Sequence, residues 1–270
     1  MGVVNQSLRK ARSLKPSRIR QDAERRFHLE IEASDEDERE ALSRVFVPDD
    51  LGGRERDRAI EHIVTSGAGA EVKVRGLRVL GGAGVVVDWR EPENGLRELL
   101  RAYPRYRLAL GRAFPPLRAL LARDLIQAVA ARNAALAAIS ALPEVIPNPL
   151  SLVLALGEMG SDTVLLTANQ IGLAFELAAL RGEVVGWRAQ AGPIGVILAG
   201  AFGWRALARE LVSLIPAGYG LAAKSGIAYS GTLAVGEGLW RYRRRQPAAR
   251  LRLPPAESRT PATLARRRTA

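Results

Sequence analysis

The chain has 270 residues, is 47% hydrophobic but only 5% aromatic, carries a net charge of +12 and contains no Cys. That length allows one large domain or two small ones, and the absence of Cys excludes a disulfide framework, a thiol nucleophile and a thiolate metal site. An apolar mass of Leu, Ala, Val and Ile with much Gly suits closely packed helices better than a β-sandwich.

Residues 1–26 form a basic arm, with eight Lys/Arg against two acids. The arm has no apolar stretch of the kind a secretory signal needs. Gln6 stands where the myristoylation motif wants Ser or Thr. Val3, Val4, Leu8 and Leu14 could supply the apolar residues of an amphipathic helix at a surface.

Residues 27–103 are mixed and polar. "FHLEIEA" (27–33) alternates like a half-buried strand. "DEDEREALSRVF" (35–46) has acids at its front, as a helix N-terminus prefers. "RERDRAIEHIV" (54–64) reads as a second helix, "EVKVRGLRVL" (71–80) and "GVVVDW" (84–89) as strands, and "EPENGLRELLRAY" (91–103) as a helix. The order β-α-α-β-β-α describes a small α+β region.

Residues 104–243 read as a helical domain without strands, so the fold class is α-rich: a helical bundle or hairpin with Gly/Ala-rich close packing, preceded by the small α+β region. Pro115-Pro116 interrupts the first helical run, and a long helix follows. A second runs over 150–182 with Gly182 beyond its end. Glu158, Asp162, Asn169 and Glu176 are spaced by 4, 7 and 7 and form a polar seam on one face of it. Such a seam faces water, faces basic partners inside a bundle, or marks a polar path in a membrane. Arg205, Arg209 and Lys224 are the counter-charges the sequence offers.

"GYGLAAKS" (218–225) differs from a phosphate-binding loop at one position, Ala223, where the second Gly is needed. Gly218, Ala222, Gly226, Ser230, Ala234 and Gly238 recur every fourth residue through and beyond this stretch. That ladder predicts a helix whose backbone a neighbour approaches closely, with Lys224 on it as a cation near the seam. A nucleotide site is not expected there. The longest uncharged apolar window, "AGPIGVILAGAFGW" (191–204), is shorter than a membrane span requires. It fits a hairpin on or in a bilayer, or a buried bundle. The Arg residues around Trp240 and Tyr242 suit an interfacial anchor with a positive flank.

Residues 244–270 read as a basic, disordered tail. Ten Arg face one acid over 241–270, and with the +6 of the N-terminal arm this leaves the body near −3 of the overall +12. Basic tails on a slightly acidic body seek a polyanion. They lack the interleaved aromatics that favour nucleic acid, so an anionic membrane surface is the first partner expected.

Three stretches together resemble the helical domain of the domain-of-unknown-function 697 family, over about residues 105–245: "IPNPLSLVLALGEMGSDTVLLTANQIGLAFELAALRG" (146–182), "VVGWRAQ" (184–190) and "GLAAKSGIAYSGTLAVGEGLWRY" (220–242). Ala228, Tyr229, Thr232 and Gly236 occupy the positions of its Ala-Tyr-x-x-Thr-x-x-x-Gly element. The resemblance implies a bacterial protein at the inner membrane, and a domain that in some members follows a GTPase. It carries over no catalytic residue. The chemistry agrees: no Ser/His/Asp set, metal-ligand spacing or cofactor loop is present. His28 and His62 stand apart in charged surroundings. The expected function is therefore non-enzymatic, without cofactor or metal: a membrane-associated helical protein on the cytoplasmic side of the inner or plasma membrane. The alternatives are a cytoplasmic adaptor that partners a GTPase or a second copy of itself, and nucleic-acid binding through the tails.

Overall fold

In the computed structural model, the described residues are 15–64, 69–81, 83–145, 149–199 and 220–245. Pro16 opens the first helix, α1 (Pro16–Ala23), where its fixed φ suits the first turn. Strand β1 (Leu29–Glu32) follows. Asp35 then caps α2 (Glu36–Phe46) by accepting from the Glu38 N–H at 2.7 Å, the usual service of an N-cap carboxylate. Helix α3 (Gly53–Ile60) ends earlier than the sequence suggests, because Ile63–Val64 pair with β1 as β2. Strand β3 (Val72–Arg75) is also short. It ends at Arg75, and at the next residue, Gly76, an added Cβ would lie 2.6 Å from both Glu38 carboxylate oxygens. Strand β4 (Val85–Val86) and helix α4 (Pro92–Ala102) complete this region.

The order β-α-α-β-β-α thus stands, with β2 added. The four strands pair in parallel in the order β2-β1-β3-β4. Parallel sheets are covered on both faces. Accordingly β1, expected to be half buried, is buried at Leu29, Ile31 and also Glu30, whose carboxylate lies 3.2 Å from Lys73 Nζ.

Helix α5 (Arg107–Ala113) leads into α6 (Pro115–Val145), α7 (Pro149–Leu180), a helical stretch at 191–199 and α8 (Gly220–Arg245). Leu117, Leu121, Leu125, Val129, Asn133 and Ala137 are buried along α6 at spacing four, the stripe expected of a core helix. Helix α8 lies along α6, and α7 packs against both. Helix α7 ends in a Schellman turn: Glu183 N–H reaches Ala178 O at 3.0 Å and Gly182 N–H reaches Ala179 O at 2.9 Å. Gly182 takes φ +71°, a conformation that favours Gly.

One buried cluster runs from Ala23 through the sheet and α2 to α5–α7 and Leu239, so the sheet layer and the helices on either side of residue 103 share a core. The chain is α-rich with a small parallel α+β region. Among the described residues no helix is long and apolar enough to cross a membrane. Residues 1–14, 246–270 and the end of the 191–204 window, from 200 on, lie outside the described part.

Candidate functional site

The polar seam divides on inspection. Glu158 and Asp162 belong to α7, but their side chains lie outside the described residues. Asn169 donates from Nδ2 to Asn133 Oδ1 at 2.7 Å. Asn133 is fully buried and donates in turn to Thr232 Oγ1 at 2.9 Å, which also accepts from Gln170 Nε2 at 3.2 Å. This network joins α6, α7 and α8 in their shared core. Buried polar groups persist where they are hydrogen-bonded, and a connected set fixes how three apolar helices meet. Asn169 is therefore a packing residue rather than a solvent-facing one.

Glu176 has a different setting. It lines a cavity of about 510 Å³ with Arg18, Asp22 and Arg25 of α1, Pro104 and Arg105 of the α4–α5 corner, Arg107 of α5, and Leu121 and Leu125 of α6. Burial raises the Glu176 carboxyl above its ordinary value, partly opposed by the charges of Arg107 and Arg132. Arg25 is paired with Asp22 at 2.7 Å. Among the described residues Arg18, Arg105 and Arg107 have no carboxylate within 4.0 Å in an ion pair. The charges acting on Glu176 thus come from Arg107 and Arg132; Arg205 and Arg209, proposed for that role from sequence, lie outside the described residues. Lys224 is half-buried near the start of α8.

The small-residue ladder is corrected by the packing. Gly218 lies outside the described residues. Ala222, Gly226, Ser230, Ala234 and Gly238 are all exposed. A Cβ built at Gly226 or Gly238 meets nothing within 4 Å, whereas one at Gly236 would lie 2.8 Å from Ile126 Cγ2 and 3.2 Å from Leu173 Cδ2. Helix α8 therefore packs through the face of Gly231, Thr232, Gly236, Leu239 and Arg243, all buried. The ladder points the other way because that face follows the side chains that complement α6 and α7, and small size alone does not select it.

Arg243, expected among the arginines of an interfacial flank around Tyr242, is instead drawn into the body by its partners. Arg243 is 3% exposed. It is paired with Glu183, donates to Gln190 Oε1 at 2.6 Å and reaches Ala174 O at 3.2 Å. Desolvation, reinforced by Arg181, lowers its guanidinium to a pKa of about 10. Arg118 is also buried, donating to Glu55 Oε1 at 3.0 Å and Arg112 O at 3.0 Å. The sequence signal for the burial of Arg243 is its spacing of 4 from Leu239 and 7 from Gly236 on one helix face.

The carboxyl edge of a parallel sheet is where nucleotides are often held, with phosphate on a helix N-terminus. Here that place after β1 is filled by the chain itself. Asp35 caps the α2 N-terminus, and buried Glu38 accepts from Ser34 N–H at 2.8 Å, Ser34 Oγ at 2.8 Å and Arg78 N–H at 3.2 Å. Burial works to raise the Glu38 carboxyl, but these hydrogen bonds outweigh it and hold it below its ordinary value. Two ionised carboxylates there repel phosphate. Among the described residues no group of three His, Cys, Asp or Glu side chains is placed to hold a metal ion.

No protein-family model, curated protein or solved structure matches this chain.

Proposed function

We propose that this is a non-enzymatic helical protein that docks peripherally on an anionic membrane surface. The observation that carries the reading is the division of charge: strongly basic ends on a body near −3. The geometry supports it. Arg18 of α1 lies beside Glu176, and Arg243 near the end of α8 bonds to Ala174 O and is paired with Glu183. Arg18 and Arg243, near the two ends of the described chain, therefore both lie by the last turns of α7. Each Lys or Arg near an anionic surface contributes about 1 kcal/mol, so two basic segments in concert bind far more strongly than either alone.

Co-sedimentation of the full chain with phosphatidylcholine vesicles, with and without about one third phosphatidylglycerol, tests this. Retention on the anionic vesicles only, weakening steeply with salt as surface charge is screened, is the expected result. A chain that stays in the supernatant with both vesicle types refutes the reading.

An adaptor that partners a GTPase is the second reading, favoured by the all-parallel sheet order β2-β1-β3-β4. A nucleotide-dependent pull-down of a GTPase by the full chain, together with absence from anionic vesicles, would favour it over the first.

A further inference from the structure

We propose that the cavity between α1, the α4–α5 corner, α6 and α7 is a binding site for a phosphate monoester, gripped by Arg18, Arg105 and Arg107 above a floor formed by Glu176. The proposal rests on the membrane-surface reading and deepens it by naming the headgroup.

Three arginines from two separate segments, α1 and the corner that opens α5, line one cavity of about 510 Å³, within the size range of small-ligand sites. Like charges held together are costly unless a counter-charge joins them. The fourth arginine, Arg25, has Asp22 as its partner at 2.7 Å. Arg18, Arg105 and Arg107 have no such partner among the described residues. Glu176 supplies at most one negative charge, so two or more positive charges remain unmatched. A dianion meets that excess; a phosphodiester, with one charge, does not. Guanidinium groups bind such oxygens through paired N–H donors.

The floor agrees with the rim. Burial pushes the Glu176 carboxyl above its ordinary value, which disfavours its charged form and so weakens its repulsion of an anion. Leu108, Leu121 and Leu125 form the apolar wall, which suits the carbon skeleton that a phosphate monoester carries. Phosphatidic acid and a soluble glycerol phosphate share this chemistry.

The test compares the full chain on phosphatidylcholine vesicles carrying phosphatidic acid with vesicles of equal charge carrying phosphatidylserine, and titrates glycerol 3-phosphate calorimetrically with glycerophosphocholine as the diester control. One charge-assisted contact more is worth about tenfold in affinity. We expect about that preference for phosphatidic acid, and its collapse toward one in Arg107→Gln. Arg105→Gln, at an exposed position, should do the same without risk to the fold. Glycerol 3-phosphate binding that is lost in both variants, without any vesicle binding, upholds the site with a soluble ligand and refutes the membrane reading. Equal binding to both vesicle types with no glycerol 3-phosphate binding refutes the site and leaves the membrane reading standing. Monoester binding unchanged in both variants also refutes the site.

Discussion

Gly226 and Gly236 lie on the same helix, ten residues apart, and the same substitution should act on them in opposite directions. Gly to Ala in a helix interior gains about 1 kcal/mol through reduced backbone freedom. At Gly226 a new Cβ meets nothing within 4 Å, so Gly226→Ala should realise that gain. At Gly236 the new Cβ would lie 2.8 Å from Ile126 Cγ2, 3.0 Å from Ile126 Cγ1 and 3.2 Å from Leu173 Cδ2. Both neighbours are 1% exposed and have little room to give. Overpacking of this kind costs about 1–3 kcal/mol, which cancels or exceeds the propensity gain. The two variants should therefore differ by about 1–3 kcal/mol in stability, Gly226→Ala being the more stable. Urea unfolding followed by circular dichroism measures this as a shift in midpoint at unchanged slope. If Gly226→Ala proves the less stable of the two, the ladder of Ala222, Gly226, Ser230, Ala234 and Gly238 is a packed face and the orientation of α8 described above is wrong.

Arg243→Ala should cost about 3–5 kcal/mol by leaving Glu183 without its buried partner, read as a drop in unfolding midpoint that Arg244→Ala, at an exposed position, does not reproduce. Asn133→Ala should cost about 2–3 kcal/mol, because Asn169 and Thr232 lose a buried hydrogen-bond partner; thermal unfolding checks it. Glu176 gives a pH signature. Its folded value is raised above the ordinary 4.5, so its contribution to stability is fully present below about 4.5 and is lost as pH rises through the higher folded value. Glu176→Gln should therefore gain stability relative to the parent as pH rises from 4 to 8; a constant difference across that range contradicts the burial assigned to this carboxyl.

Much of the element map was legible because its signals are local. The acids at the front of α2, the Pro pair that opens α6 and Gly182 after α7 announce helix ends through their own backbone chemistry, whereas α1 lies in what reads as a basic arm. The extent of β3 was not legible. "EVKVRGLRVL" alternates throughout, but the pairing ends at Arg75, opposite Glu32, where the partner strand β1 also ends. Nor was the buried state of Glu30, which needs Lys73 from the neighbouring strand.

The seam on α7 was legible as a line of polar residues, since spacing by 4 and 7 is a property of any helix. Its division was not. Asn169 meets Asn133, while Glu176, seven residues later, meets a cavity rimmed by arginines from α1, the α4–α5 corner and α5.

By itself the amino-acid order determined the division of charge between ends and body, the helical class, and the places where helices begin and stop, because each depends on composition or on neighbours within a turn. Only the tertiary structure decided which face of α8 is buried and which arginines converge. Small residues recur along more than one face of that helix, and the choice fell to Ile126 and Leu173, far away in the chain. Arg18 is far in sequence from Arg105 and Arg107, and packing of α1 against α5 and α7 is what brings them together at Glu176.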